Sequence, residues 1–122
     1  EGVIMARILI VDDEDNVRLL IKEELEDAGY EITDEPSAKK ALTLLKEDSN
    51  FDIICTDIEM PDMNGLELAG EIRKKYSDKK IILLTAYSHY KSEMASWAAD
   101  AYVVKSMDLT ELKDTIQNLL EL

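Results

Sequence analysis

The chain has 122 residues, 46% of them hydrophobic, which suits one compact domain with one core and argues against disorder. Its formal net charge of -13 repels phosphate backbones, so direct nucleic-acid binding is not expected; the carboxylates suit a divalent cation or a basic partner surface instead. The single cysteine, Cys55, excludes an internal disulfide and fits a reducing compartment, the cytoplasm, and no apolar run approaches a membrane span.

Residues 1–5 read as an N-terminal extension ahead of a domain over 6–122, because Met5 is a plausible start. Residues 8–11, Ile-Leu-Ile-Val, form a short branched apolar run ending in Asp12-Asp13, the pattern of a strand buried on both faces. Val17, Leu20, Ile21, Leu25 and Ala28 then make a helical stripe that Gly29 stops. A weaker strand over 31–35 is followed by Pro36-Ser37, which opens a helix with Ala38, Ala41, Leu42 and Leu45 on one face.

Residues 51–56 form a third strand, which also runs into an acid, Asp57. The loop 59–65 is Pro, Asn and Gly chemistry, and the helix after it turns Leu68, Ala69, Ile72 and Tyr76 inward. A strand over 81–84 stops at Thr85, and one over 102–104 stops at Lys105. Between them, residues 88–99 carry only a weak stripe of Tyr90, Met94 and Trp97. Asp108, with Glu111 three residues on, marks the start of a last helix bearing Leu109, Leu112, Ile116, Leu119 and Leu120. Strands alternate with helices, about five of each, so a parallel sheet covered on both faces by right-handed crossovers is expected.

The residues with chemistry all stand just past strand ends: Asp12, Asp13, Asp57, Thr85 and Lys105. Ligands of open parallel sheets bind outside the carboxyl ends of the strands, so these positions should converge. Three carboxylates together need a cation, and hard oxygen ligands in small number suit Mg²⁺. Lys105 and Thr85 suit the opposite charge, a multiply charged oxyanion. A metal, oxyanion binders and an ionised Asp together describe phosphoryl transfer onto a carboxylate.

Ile8-Leu9-Ile10-Val11-Asp12-Asp13-Glu14, Thr56-Asp57-Ile58-Glu59-Met60-Pro61-Asp62-Met63-Asn64-Gly65, Leu83-Leu84-Thr85-Ala86 and Tyr102-Val103-Val104-Lys105, in this order, resemble the response-regulator receiver family of two-component signalling. The resemblance implies an α/β fold: a doubly wound (βα)5, flavodoxin-like, CheY-like domain with a five-stranded parallel sheet. It implies Asp57 as the phosphorylated nucleophile, with Thr85 and Lys105 completing the catalytic set. It implies Mg²⁺ on Asp13 and Asp57, on Asp12 mostly through water, and on the Glu59 carbonyl. Thr85 and Tyr102 would form the switch, Tyr102 moving inward as Thr85 moves, and Glu59 and Tyr87 would flank the approach of water. The implied partners are a sensor histidine kinase or a histidine phosphotransfer protein, and a downstream protein on a face made by 88–99, the last strand and the last helix. The implied role is a signalling switch that catalyses its own phosphorylation and dephosphorylation and is not a metabolic enzyme.

The chain departs from the family pattern in two internal places. Ser106 follows Lys105 where a proline behind a cis bond is usual, and a non-proline cis bond costs ~3 kcal/mol, so trans is expected. Ala98-Ala99 stands where a glycine commonly ends the fourth helix. The rival enzyme reading, an aspartyl-phosphate phosphatase, finds a second acid, Glu59, two residues after Asp57, but the chain has no spare length for a substrate cap. The second rival, an interaction module that works without phosphorylation, would be suggested by loss of an acid or of the lysine, and neither is lost. Cys55 reads as a small buried hydrophobe, His89 as a solvent-facing residue, Trp97 as packing and 22–27 as a solvated helix face.

Overall fold

The computed structural model describes residues 5–87 and 98–121. The strands are β1 (Arg7–Val11), β2 (Glu31–Glu35), β3 (Ile53–Asp57), β4 (Lys80–Thr85) and β5 (Ala101–Val104). The helices among the described residues are α1 (Asp15–Asp27), α2 (Ala38–Glu47), α3 (Gly65–Lys75) and α4 (Thr110–Leu120). The expected helix within 88–99, with His89, Tyr90, Met94 and Trp97, lies outside the described residues but for Ala98 and Ala99.

All neighbouring strands pair in parallel, in the order β2-β1-β3-β4-β5. The period-two geometry of a strand splits each apolar run between two cores. Leu9, Val11, Ile54, Ile81 and Leu83 face α2 and α3, together with Leu45, Leu68 and Ile72. Ile8, Ile10, Ile53, Cys55, Ile82 and Leu84 face the other way, with Ile21, Leu25, Leu112 and Ile116 of α1 and α4. This two-sided burial is why the strands read as continuous apolar runs rather than alternating ones.

The local signals act as their chemistry dictates, with one shift. Gly29 closes α1 at φ 100°, a backbone conformation that disfavours other residues. The Ser37 hydroxyl accepts the Lys40 N–H at 3.2 Å and caps α2. Asn64 caps α3 reciprocally with Glu67, the side chain of each accepting the backbone N–H of the other at 2.9 and 3.0 Å. Asp108, by contrast, is not the residue adjoining the last helix. Its carboxylate accepts from the N–H and hydroxyl of Thr110, at 2.9 and 2.5 Å, and Leu109 adjoins α4 without a side-chain cap. The Asp108 carboxylate is satisfied within this short turn, so no reciprocal box with Glu111 is seen.

The first crossover leaves β1 for β2 on one side, and the next returns over β1 to β3 on the other. The chain therefore changes direction between β1 and β3, and a crevice opens at their carboxyl ends. Asp12 and Asp13 follow one strand, and Asp57 ends the other.

Candidate active site

Asp12 is 1% exposed and Asp57 6% exposed, while Asp13 is open to solvent. Asp12 is fixed by its backbone and its side chain: its N–H donates to the Glu35 carbonyl at 3.2 Å, and its Oδ1 accepts the Glu14 N–H at 2.8 Å, a local turn that aims the carboxylate. The carbonyl of Asp12 accepts from Arg18 Nη1 at 2.7 Å. At Asp57, the Thr56 hydroxyl donates to the backbone carbonyl at 2.9 Å. Gly65 packs against the same carbonyl so closely that a side chain there has no room.

Asp12, Asp13 and Asp57 each offer a carboxylate oxygen, all within 4.8 Å of one another. At an effective dielectric of 20, each like-charged pair at such a distance costs on the order of a few kcal/mol. Among the described residues one cation answers this. Lys105 Nζ stands 2.8 Å from Asp12 Oδ2, 3.4 Å from Asp57 Oδ2 and 3.7 Å from Glu14 Oε1. It is delivered by the end of β5, where the Lys105 N–H donates to the Thr85 carbonyl at 2.6 Å. The Lys105–Ser106 bond is trans, as expected for a residue that is not proline.

Burial pushes the Asp57 carboxyl up to about 6; Lys105 pulls it down, and Asp12 and Asp13 push it up further. Burial alone would lower the Lys105 ammonium, but Asp12 and Asp57 outweigh it and hold it above its ordinary value. Cys55, next to Thr56 on β3, is fully buried and its thiol is pushed up to about 12, mainly by burial, so it is an inert part of the core.

The donor set fits a hard divalent ion. Asp12 Oδ2 is buried, and among the described residues no group donates a hydrogen bond to it beyond the Lys105 ion pair. Three carboxylates against one ammonium leave an excess of negative charge at a solvent-reached cleft, the setting in which Mg²⁺ takes few carboxylates and keeps water.

That cleft, about 270 Å³, is lined by Asp13, Glu14, Asp57, Glu59, Thr85, Ala86, Tyr87 and Lys105. The structure thus brings together Asp12, Asp13, Asp57, Glu59, Thr85 and Lys105, from four different strand ends. Thr85 is fully buried, and its hydroxyl oxygen accepts the Tyr87 N–H at 3.3 Å. Tyr102 lies one strand away, not in the cleft. Its ring is already inward, 8% exposed within the α2–α3 core, and its hydroxyl donates to the Tyr87 carbonyl.

Two residues that shape this site escape sequence reasoning. Gly65 reads as turn chemistry, yet its lack of a side chain serves Asp57 itself. Arg18 reads as one polar residue in a helix, although its place six residues after Asp12 is a usable hint once the acids are singled out.

Residues 8–117 match the model of the response regulator receiver domain family. The chain is 36% identical over 118 residues to the regulatory protein AtoC of Escherichia coli, covering 95% of this chain and 25% of that one. It is 36% identical over 122 residues to the response regulator ArlR of Staphylococcus saprophyticus, covering 95% and 53%. The chain thus spans between a quarter and about half of these relatives. The response regulator TrrA of Thermotoga maritima, solved in complex with Mg²⁺ and BeF, superposes with a TM-score of 0.89 at 56% identity, covering 94% of this chain and 99% of that one. The same protein solved in complex with the histidine kinase ThkA gives a TM-score of 0.87 at 58% identity over 95% and 99%. With the fold, the strand order and the matched residues in agreement, the chain belongs to the response regulator receiver domain family of two-component signalling.

Proposed function

We propose that this domain, over residues 6–122, takes a phosphoryl group on Asp57 from a phosphohistidine of a sensor kinase or phosphotransfer protein and passes the change to a downstream protein. The observation that carries this is the meeting of three carboxylates within 4.8 Å with Lys105 Nζ 3.4 Å from Asp57. Asp57 ionises readily at neutral pH, since even its raised value of about 6 lies below 7. Its carboxylate oxygen attacks phosphorus, the bond from phosphorus to the donor imidazole breaks, and the imidazole leaves with a proton from solvent. Lys105 pairs with the phosphoryl oxygens, and Thr85, on the cleft wall, donates its hydroxyl to one of them.

Asp12, Asp13 and Asp57 with the Glu59 carbonyl would hold Mg²⁺, which supplies charge neutralisation for the arriving group when bound. The site's own wall, Glu59 and Tyr87, governs the water that later restores the carboxylate and releases inorganic phosphate. Kinase partnership is supported by the complex formed by TrrA, and a face built from 88–99, β5 and α4 is the reading for the downstream partner. Among the described residues no helix is long and apolar enough to cross a membrane. We place the domain in the cytoplasm, the reducing compartment that its lone cysteine, Cys55, fits.

The test is incubation with Mg²⁺ and a small phosphodonor. The wild type gains one acid-labile phosphoryl group, and Asp57→Asn gains none. Modification that persists in Asp57→Asn, or turnover of unrelated phosphate esters without a stable mark, overturns the reading.

A further inference from the structure

Arg18 makes more side-chain bonds around the acidic turn than any role as a surface cation requires. It sits in the second turn of α1, and its side chain is 13% exposed. Nη1 donates to the Asp12 carbonyl, Nε to Asp34 Oδ2 and Nη2 to Asp15 Oδ1, each at 2.7 Å. The three acceptors belong to three places: the exit of β1, the end of β2 and the first residue of α1. Asp34 is itself held by Lys22 Nζ at 3.4 Å, so the guanidinium is anchored from the neighbouring strand.

We propose that Arg18 is the positioning residue of the metal-binding turn: by holding the Asp12 carbonyl against β2 and the α1 start, it sets where the Asp12 and Asp13 carboxylates stand. This rests on the reading of that turn as a Mg²⁺ site. The mutual repulsion of Asp12, Asp13 and Asp57 works to open the turn, and among the described residues the other backbone tie on Asp12 is the longer bond from its N–H to the Glu35 carbonyl. A planar fork with donors in fixed directions can span three separate acceptors; an ammonium cannot hold them in the same geometry.

The sign of the effect separates positioning from charge. As a bare cation near an acidic pocket, Arg18 repels Mg²⁺, so removing it would tighten binding. As a positioning residue, its removal weakens binding. Outer partners of metal ligands typically carry about tenfold or more in affinity.

Calorimetric titration with MgCl₂ of the wild type, Arg18→Met, Arg18→Lys and Asp34→Asn decides between them, with circular dichroism to confirm folding. Arg18→Met and Arg18→Lys are expected to bind Mg²⁺ about tenfold more weakly, and Asp34→Asn to fall between them and the wild type. The rate of phosphorylation by a small phosphodonor should return to near the wild-type value at saturating Mg²⁺, with only the half-saturating concentration raised. A general structural defect would lower the rate at every concentration. Unchanged or tighter binding in Arg18→Lys overturns the proposal, and if Arg18→Met does not fold, Arg18→Lys and Asp34→Asn carry the decision. A wild type that binds no Mg²⁺ overturns the metal reading itself, and this proposal with it.

Discussion

A β-carbon on Gly65 would lie 1.9 Å from the carbonyl oxygen of Asp57. The contact is backbone against backbone, because the Gly65 N–H also donates to the Ile58 carbonyl at 2.8 Å. Neither side can yield by rotating a side chain. Gly65→Ala should therefore cost about 2–4 kcal/mol and move Asp57 out of register with the other acids. Gly70, inside α3, has nothing within 4 Å of where its β-carbon would go. Gly70→Ala should stabilise by about 0.5–1 kcal/mol through helix propensity. Urea denaturation of the pair checks both signs.

Asp57 should make the metal-free domain less stable as pH rises. Its carboxyl is held at about 6 in the fold, above its value in an unfolded chain. Between about pH 4 and pH 6 the folded state keeps a proton that the unfolded state releases, so stability falls as pH rises through this window and levels off above it. With a chelator present, Asp57→Asn should gain on the wild type across the same window. Mg²⁺ should then stabilise the wild type far more than the variant. A pH series of denaturation curves with and without Mg²⁺ gives the answer, and a flat difference between pH 4 and 7 would count against the buried-carboxylate account.

Lys105 competes for the oxygens that a metal would use, being 2.8 Å from Asp12 and 3.4 Å from Asp57. Lys105→Met should bind Mg²⁺ more tightly, about threefold to tenfold, since about 1 kcal/mol of cation–cation repulsion is worth that much. Its phosphorylation should nevertheless be slower, because the phosphoryl oxygens lose their ammonium partner. Titration and phosphorylation kinetics on the same variant should thus move in opposite directions.

Tyr87, 48% exposed, lines the same cleft as Asp57. Tyr87→Ala should shorten the life of the phosphorylated state severalfold by admitting water. Following loss of the acid-labile mark over time measures it; an unchanged or longer half-life removes Tyr87 from the gating role.

Tyr102 donates its hydroxyl to the Tyr87 carbonyl while its ring fills the α2–α3 core. Tyr102→Phe keeps the ring and loses one hydrogen bond, about 1 kcal/mol. If Tyr102 takes part in the switch, amide resonances on adding a beryllofluoride mimic and Mg²⁺ should shift from Asp57 and Thr85 through to Tyr102. Changes confined to the loops around Asp12 and Asp57 would remove Tyr102 from the switch.

The strand-end chemistry is legible because buried parallel strands are continuous apolar runs, so an acid or lysine at their exit stands out: Asp12, Asp57 and Lys105 are visible for that reason. What fixes them is not. The partner of Arg18 on β2, Asp34, becomes its neighbour only through the pairing of β1 with β2, and no local period announces that. Gly65 is a turn residue by spacing, and its approach to Asp57 depends on how the loop folds back. The start of α4 slipped from Asp108 because the carboxylate closes on Thr110, a choice between two local patterns that the same residues permit.

Among the described residues β2 has one strand neighbour, β1, and its five residues, Glu-Ile-Thr-Asp-Glu, include three carboxylates. An open strand edge is a template on which another chain can add. A second copy pairing there would set Glu31, Asp34 and Glu35 against their own duplicates, and a strand with one apolar core residue offers little in return. The negative charge of this margin therefore discourages sheet extension, and the domain can remain concentrated in solution without growing into ribbons from that side.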